Sequence, residues 1–337
     1  MNNNDPRIKT TVVGSYPVPS WLVALPSEQA LIDATRAVIG TQETAGLDVV
    51  CDGELYRFDI NHPETNGMIE YFTRPMDGIR NDSTFDEVIA YRSQEGMGFR
   101  AKPPGVVDTA IGHGMLDLPY AAMRAHKLAN KPLKFTLTGP HMLAKTLINK
   151  HYDDLPAMTM AIAKVLAEQV AHIDAEIVQL DEANLPGHPD EWEWAAEAIN
   201  LVLDAVKTTP AVHLCFGNYG GQSVQGGAWE KLINYLNALH VDHIVMENAH
   251  RPLEELAVFK ELRPEIGLGL GVVDIKVNQV ETADGIAKSI EGAEKILGAG
   301  RVKYINPDCG FWMLPRSVAD GKIAALVAGR DLYEGRS

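Results

Sequence analysis

Short β-branched or aliphatic runs recur along the chain, and most are followed by a longer stretch whose apolar residues return every three or four positions. A continuous apolar run of about four to eight residues suits a strand buried on both faces, and the 3.6-residue period suits a helix with one apolar side. On this basis strands are expected over residues 10–15, 49–52, 134–138, 177–180, 211–216, 243–246, 266–273 and 302–305. Helices are expected over 28–45, 155–174, 189–206, 228–239, 253–262, 283–297 and 315–328. Regular alternation of the two predicts βαβ units and a parallel sheet. Eight strands then predict closure into a (β/α)8 TIM barrel. The other arrangement, an open doubly wound sheet, lacks the Gly-x-Gly-x-x-Gly turn after its first strand.

One stretch breaks the rhythm. About residues 55–131, far more than a crossover needs, carry turn chemistry such as Arg80-Asn81-Asp82-Ser83 and Lys102-Pro103-Pro104-Gly105. It is read as an inserted helix and antiparallel hairpin after strand two, laid over one end of the barrel; a small separate domain is the alternative. No repeat or composition shift marks a linker, so residues 1–337 are read as a single barrel domain.

The composition, 46% hydrophobic and 22% charged, supplies a core of ordinary size. No apolar run of about 18 residues is present and the start is polar, so neither a membrane nor a signal segment is expected and the location is read as cytoplasmic. A net charge of −15 repels a phosphate backbone, which argues against nucleic acid as a partner. Three cysteines, Cys51, Cys215 and Cys309, are too few and too scattered for a disulfide framework. Any role they have is expected to be as thiolates, with mid-strand Cys51 a core thiol.

Polar residues collect where the predicted strands end, and in such a barrel those ends converge on one mouth. In Val212-His213-Leu214-Cys215-Phe216, His213 and Cys215 lie two apart on a strand and face one way, which places an imidazole and a thiolate side by side for Zn2+. The sixth strand ends in Glu247 and the eighth in Cys309, which completes four donors of types zinc accepts. Taken singly, a Cys at a strand end is more often a small buried apolar residue and a lone His a hydrogen-bonded core residue. Two of only three cysteines on the rim of a His-x-Cys pair shift the balance toward a metal site.

Val13-Gly14-Ser15-Tyr16-Pro17, Asp52-Gly53-Glu54, Asn66-Gly67-Met68-Ile69-Glu70-Tyr71-Phe72, Gln179-Leu180-Asp181-Glu182, His213-Leu214-Cys215, Met246-Glu247-Asn248 and Asn306-Pro307-Asp308-Cys309-Gly310 follow one another in the order of a known family. They resemble the C-terminal catalytic half of cobalamin-independent methionine synthase, in a short form that lacks the N-terminal half. The resemblance implies a barrel enzyme that binds L-homocysteine through zinc and methylates its thiol to give methionine. It implies His213, Cys215, Glu247 and Cys309 as metal ligands. Gly14 and Ser15 match the positions that hold the amino acid's carboxylate, and Glu54 and Asp181 those that hold its ammonium group. A thiol of pKa about 8.5 loses its proton on coordination, and a ligand set with net negative charge leaves the thiolate reactive. Glu247, the one oxygen ligand, is the expected donor to move aside.

Two departures concern the methyl donor. Thr146 falls where the family places a tryptophan against the pterin ring, and Lys276 replaces a histidine thought to relay a proton to the folate leaving group. A lysine near 10.4 shuttles protons at neutral pH less readily than a histidine near 6.5. The donor is therefore expected to be methylcobalamin on a corrinoid protein, or another carrier delivered by a partner, and not a folate polyglutamate. Lys276 and Asp274 are the candidate catalytic pair, with a strand-end ion pair between them as the bland reading. Two other functions stay open: a zinc-dependent alkyltransferase for another thiol such as coenzyme M, which would not need Glu54 and Asp181, and a non-catalytic zinc-binding protein. His188 and His250 are read as loop structure or as residues just behind the site, and Trp192 and Trp194 as packing.

Overall fold

The computed structural model describes residues 7–59, 62, 65–93, 100–219, 222–223 and 227–336. Eight parallel strands form the barrel: β1 (Lys9–Thr10), β2 (Val50–Cys51), β3 (Leu133–Thr138), β4 (Ile177–Glu182), β5 (Thr209–Leu214), β6 (His243–Met246), β7 (Gly267–Val273) and β8 (Val302–Pro307). They pair in the order β1-β8-β7-β6-β5-β4-β3-β2. The turn closes where the amides of Asp48 and Val49, entering β2, donate to the Thr10 carbonyl at 3.2 and 3.1 Å. This is the expected (β/α)8 barrel.

Helix bounds follow the apolar period closely where caps are strong. Ser27 accepts from the Ala30 amide ahead of Glu28–Ala45, and Gly46 ends that helix in the left-handed region. Thr282 caps Ala283–Leu297 in the same way. The stretch expected as a helix over 253–262 is instead a 3-10 helix, Leu253–Glu261. The first strand is shorter than the expected 10–15, because after Thr10 the chain leaves the sheet to line the mouth.

The insertion differs in detail from a hairpin. Asp77–Arg80 pairs antiparallel with Val106–Gly112, but a helix, Phe85–Arg92, lies between them. A third strand, Ile148–Asn149, comes from outside the insertion and pairs parallel with Val106–Gly112. That strand has two half-buried residues and so no period-2 signal to announce it.

The barrel interior carries a polar layer below the mouth. Lys134 is fully buried, donates from Nζ to the Val12 carbonyl and to Gln179 Oε1 at 2.8 Å each, and has its pKa lowered by burial to about 8. Gln179 Nε2 donates in turn to the Val13 carbonyl at 3.0 Å and to Asp181 Oδ1 at 2.8 Å. The side chain that faces the site is thus held from underneath.

The seam between β1 and β2 depends on one ion pair. Arg330, on the final helix Arg316–Glu334, donates to Asp48 Oδ2 at 2.6 Å and to the Ile8 carbonyl at 2.9 Å. The same Asp48 oxygen accepts from the Thr10 amide and hydroxyl at 2.7 and 2.8 Å. Removing one partner of a mostly buried pair strands the other, at a cost of about 3 kcal/mol. Arg330→Met should therefore lower the urea midpoint by that equivalent, and an unchanged midpoint would show that the seam closes without it.

Candidate functional site

Strand register brings the candidate residues together. Val245 pairs with His213 and Met246 with Leu214, which sets Glu247 beside Cys215 at the ends of β6 and β5. Cys215 lies just past β5, its amide continuing the ladder to the Glu182 carbonyl at 3.4 Å. Cys309 follows β8. One donor atom each from His213, Cys215 and Cys309 lie within 4.8 Å of one another. Glu247 does not belong to that set: its carboxylate faces Arg251 Nη1 at 3.5 Å, His250 Nε2 at 3.7 Å and Lys276 Nζ at 3.9 Å.

The donor set suits a cation. His213 Nδ1 lies 3.1 Å from the Val245 carbonyl, so it carries the proton and donates there, leaving the Nε2 lone pair free. Nε2 is buried and has no hydrogen-bond partner. Cys215 beside it, against the cost of burial, holds Cys309 well below the usual thiol range, and the Cys309 charge together with burial pushes Cys215 well above it. The buried sulfur of Cys215, the half-buried sulfur of Cys309 and the imidazole lone pair of His213, with Glu247 close by, make an electron-rich pocket of the kind zinc or another soft divalent ion neutralises.

Next to it lies a second, oxygen-rich pocket. Glu54 adopts φ +60° and ψ 21°, a left-handed conformation in which a side chain larger than glycine is strained. Asp52 Oδ1 accepts the Glu54 amide at 2.9 Å and holds that turn. The carboxylate accepts from Thr136 Oγ1 at 2.5 Å and faces Arg57 Nη1 at 3.3 Å. Gly14 lies so close that a Cβ there would sit 2.1 Å from Glu54 Oε1, so only glycine fits. Burial raises the pKa of Glu54, and it raises Asp181 to about 7 despite the nearby His213 and the Gln179 hydrogen bond. Ser15 is half-buried and packs on Gly310, next to Cys309; its carbonyl accepts the Phe311 amide at 2.8 Å. Two carboxylates and one arginine leave a deficit of positive charge, which a ligand ammonium would fill.

Lys276 and Asp274 are not an ion pair. Asp274 Oδ1 accepts the Lys276 amide at 2.8 Å, while the Lys276 ammonium points at Glu247 and lies 3.3 and 3.4 Å from the His250 ring nitrogens. His250, read from the sequence as loop structure or an outer-layer residue of the site, lies within the site's contacts. Its Nδ1 lies 2.8 Å from Asp308 Oδ2, and Asp308 Oδ1 accepts the amides of Asn248 and Ala249 at 2.7 and 2.8 Å. Gly271 permits this turn, since a Cβ there would meet that Asp308 oxygen at 2.3 Å. His250, Asp274 and Asp308 also have donor atoms within 4.8 Å of one another, but the ammonium beside them opposes a cation. Thr146 is buried and spends its hydroxyl on the Leu143 carbonyl at 2.8 Å.

His188 stays outside these contacts, whereas Trp194 packs its ring 5.1 Å from that of His141. On the same face, Pro17, Trp21, Phe58, Trp312 and Arg316 line an open cavity of about 490 Å³. Cys51 is fully buried, as a core thiol.

Fold and donor set define a barrel protein whose chemistry sits at the C-terminal ends of its strands. The family model described as the catalytic domain of cobalamin-independent synthase matches residues 8–329, and the chain belongs to that family of enzymes. It is 29% identical over 337 residues to a methionine synthase of Pyrococcus abyssi, covering 96% of this chain and 91% of that one. It is 29% identical over 350 residues to a methionine synthase of Thermococcus kodakarensis, with 97% and 94% covered. Among solved structures it is similar to a B12-independent methionine synthase from Shewanella sp. W3-18-1 in complex with selenomethionine. That match has a TM-score of 0.79 at 24% identity, over 97% of this chain and 98% of the other. Among the described residues no helix is long and apolar enough to cross a membrane.

The raised carboxyl groups generate a pH dependence. An ammonium group bound beside Asp181 favours its charged form, so binding below about pH 7 must expel the proton that burial retains. Affinity for L-methionine should rise up to about tenfold per pH unit below that point and level off above it. Calorimetry between about pH 5.5 and 8 checks this; a flat profile would separate Asp181 from the ligand's ammonium. Glu54→Gln should weaken the same ligand about tenfold, by loss of one charged partner.

Proposed function

We propose that this enzyme transfers a methyl group to the thiol of L-homocysteine to form methionine, with Zn2+ at His213, Cys215 and Cys309 and with Glu247 as the fourth, displaceable ligand. The observation that carries the reading is the pairing of two pockets: a buried, electron-rich sulfur and nitrogen cluster beside carboxylates short of positive charge. A free amino acid with a side-chain thiol matches both. The similarity to methionine synthases points to the same substrate.

Within this reading Glu54 and Asp181 fix the ammonium, while Ser15 and the backbone at Gly14 receive the carboxylate. The amino acid is then held by both charged groups at its Cα and its sulfur is aimed at the cysteines. The Val245 carbonyl keeps His213 in the tautomer that offers Nε2. Zinc, when bound, supplies a Lewis acid that lowers the thiol pKa so that the acceptor is a thiolate at neutral pH. A thiol lacking an ammonium group, such as coenzyme M, would leave Glu54 and Asp181 unused.

The donor in this reading is not a folate polyglutamate. Thr146 offers no aromatic platform, and Lys276 is engaged with Glu247 and His250. A corrinoid protein or another carrier, delivered from solvent to the open face of the barrel, supplies the methyl group.

Zinc-edge X-ray absorption on the purified protein, with and without L-homocysteine, tests the proposal. The expected change is the gain of one sulfur neighbour. Zinc bound with an unaltered shell would rule out homocysteine as the thiol. Cys309→Ser should lower zinc affinity and methyl transfer together; retention of both would remove Cys309 from the metal.

A further inference from the structure

Glu247 sits between two sets of partners. On one side are the sulfur atoms, since the register of β5 and β6 sets Glu247 beside Cys215. On the other are three nitrogenous side chains, Arg251 at 3.5 Å, His250 at 3.7 Å and Lys276 at 3.9 Å. None of these approaches is a hydrogen bond, and Glu247 Oε1 is buried with no hydrogen-bond partner. The carboxylate is close to cations without being locked to them.

Arg251 and His250, by contrast, are held at their side chains and Lys276 at its main chain. Arg251 stacks 4.4 Å over the Phe216 ring and donates from Nε to Glu255 at 2.7 Å. His250 is held by Asp308, and the Lys276 main chain by Asp274. Positive side chains beside a buried carboxylate whose Oε1 has no hydrogen-bond partner are what a ligand needs if it must leave a divalent ion without being stranded as a buried charge.

We infer that Lys276, Arg251 and His250 form a cradle that receives the Glu247 carboxylate when the substrate thiol takes its place at the metal. This rests on the zinc and homocysteine reading above and assigns Lys276 a positioning role in place of proton relay. It links two separate features of the chain: the departure at 276 and the oxygen ligand in an otherwise soft set. The cradle lowers the cost of exchanging oxygen for sulfur, so it governs acceptor affinity.

The test uses the zinc-loaded full-length protein, with homocysteine affinity and the zinc-edge spectrum as readouts. Lys276→Met should weaken homocysteine about tenfold, and Lys276→Arg should restore most of it by keeping the charge. In a Glu247→Gln background, where no charge has to be received, Lys276→Met should have little effect. An equal loss in both backgrounds, or no loss in the Glu247 background, overturns the cradle. If the wild-type zinc shell gains no sulfur at all, the homocysteine reading falls and the cradle with it. A sulfur gain in wild type with affinity indifferent to residue 276 overturns the cradle alone.

Discussion

Buried negative charge is the constraint on which the mouth of this barrel depends. Buried Asp52, Glu54, Asp181 and Glu247 lie at the ends of barrel strands beside the half-buried Cys309, and among the described residues Arg57 is the buried counter-charge of Glu54. An uncompensated carboxylate or thiolate in a low-dielectric site costs several kcal/mol unless it takes up a proton or finds a cation. The raised pKa values of Glu54, Asp181 and Cys215 are the protein's response without a ligand. The pocket is thus prepared for two positive partners of different kinds, a soft divalent ion and an ammonium group. Neither pocket is electrostatically complete alone.

The rest of the molecule keeps that arrangement in register. Lys134 lies a layer below and reaches Asp181 through Gln179, so the carboxylate's direction is set by groups inside the barrel. Asp308 turns residues 248–250 by accepting two successive amides, and glycine at 271 makes room for it. These contacts link neighbouring strands across the mouth. A shift of one residue between β5 and β6 would move Glu247 away from Cys215 and take the Val245 carbonyl from His213.

Much of this was legible in the amino-acid sequence, because its physical causes are local. Continuous apolar runs marked the eight strands, and strong caps fixed the helices at 28–45 and 283–297. The donors His213, Cys215 and Cys309 were visible because each closes or follows an apolar run, and the structure brings these three together. What was hidden is long-range. His250 acquires its partner 58 residues away, and Lys276 turns from Asp274 toward a strand end that no sequence spacing identifies. The strand Ile148–Asn149 is too short to show a period, and its pairing belongs to the inserted sheet.

The two ends of the site are under unequal constraint. Residues at the strand termini are tied to register and buried charge together, so a change there disturbs both. Thr146 lies on the helix Pro140–Thr146 and Lys276 in the loop after β7. Threonine at 146 satisfies its own hydroxyl within its turn, and Lys276 needs only its amide bond to Asp274 to hold its place. Neither requires a rearrangement of the barrel. Under the proposed function a change of methyl carrier is therefore structurally cheap, while a thiol acceptor without an ammonium group would leave Glu54 and Asp181 buried without a cation. Lys276 can therefore turn its ammonium toward Glu247 while its main chain stays anchored on Asp274.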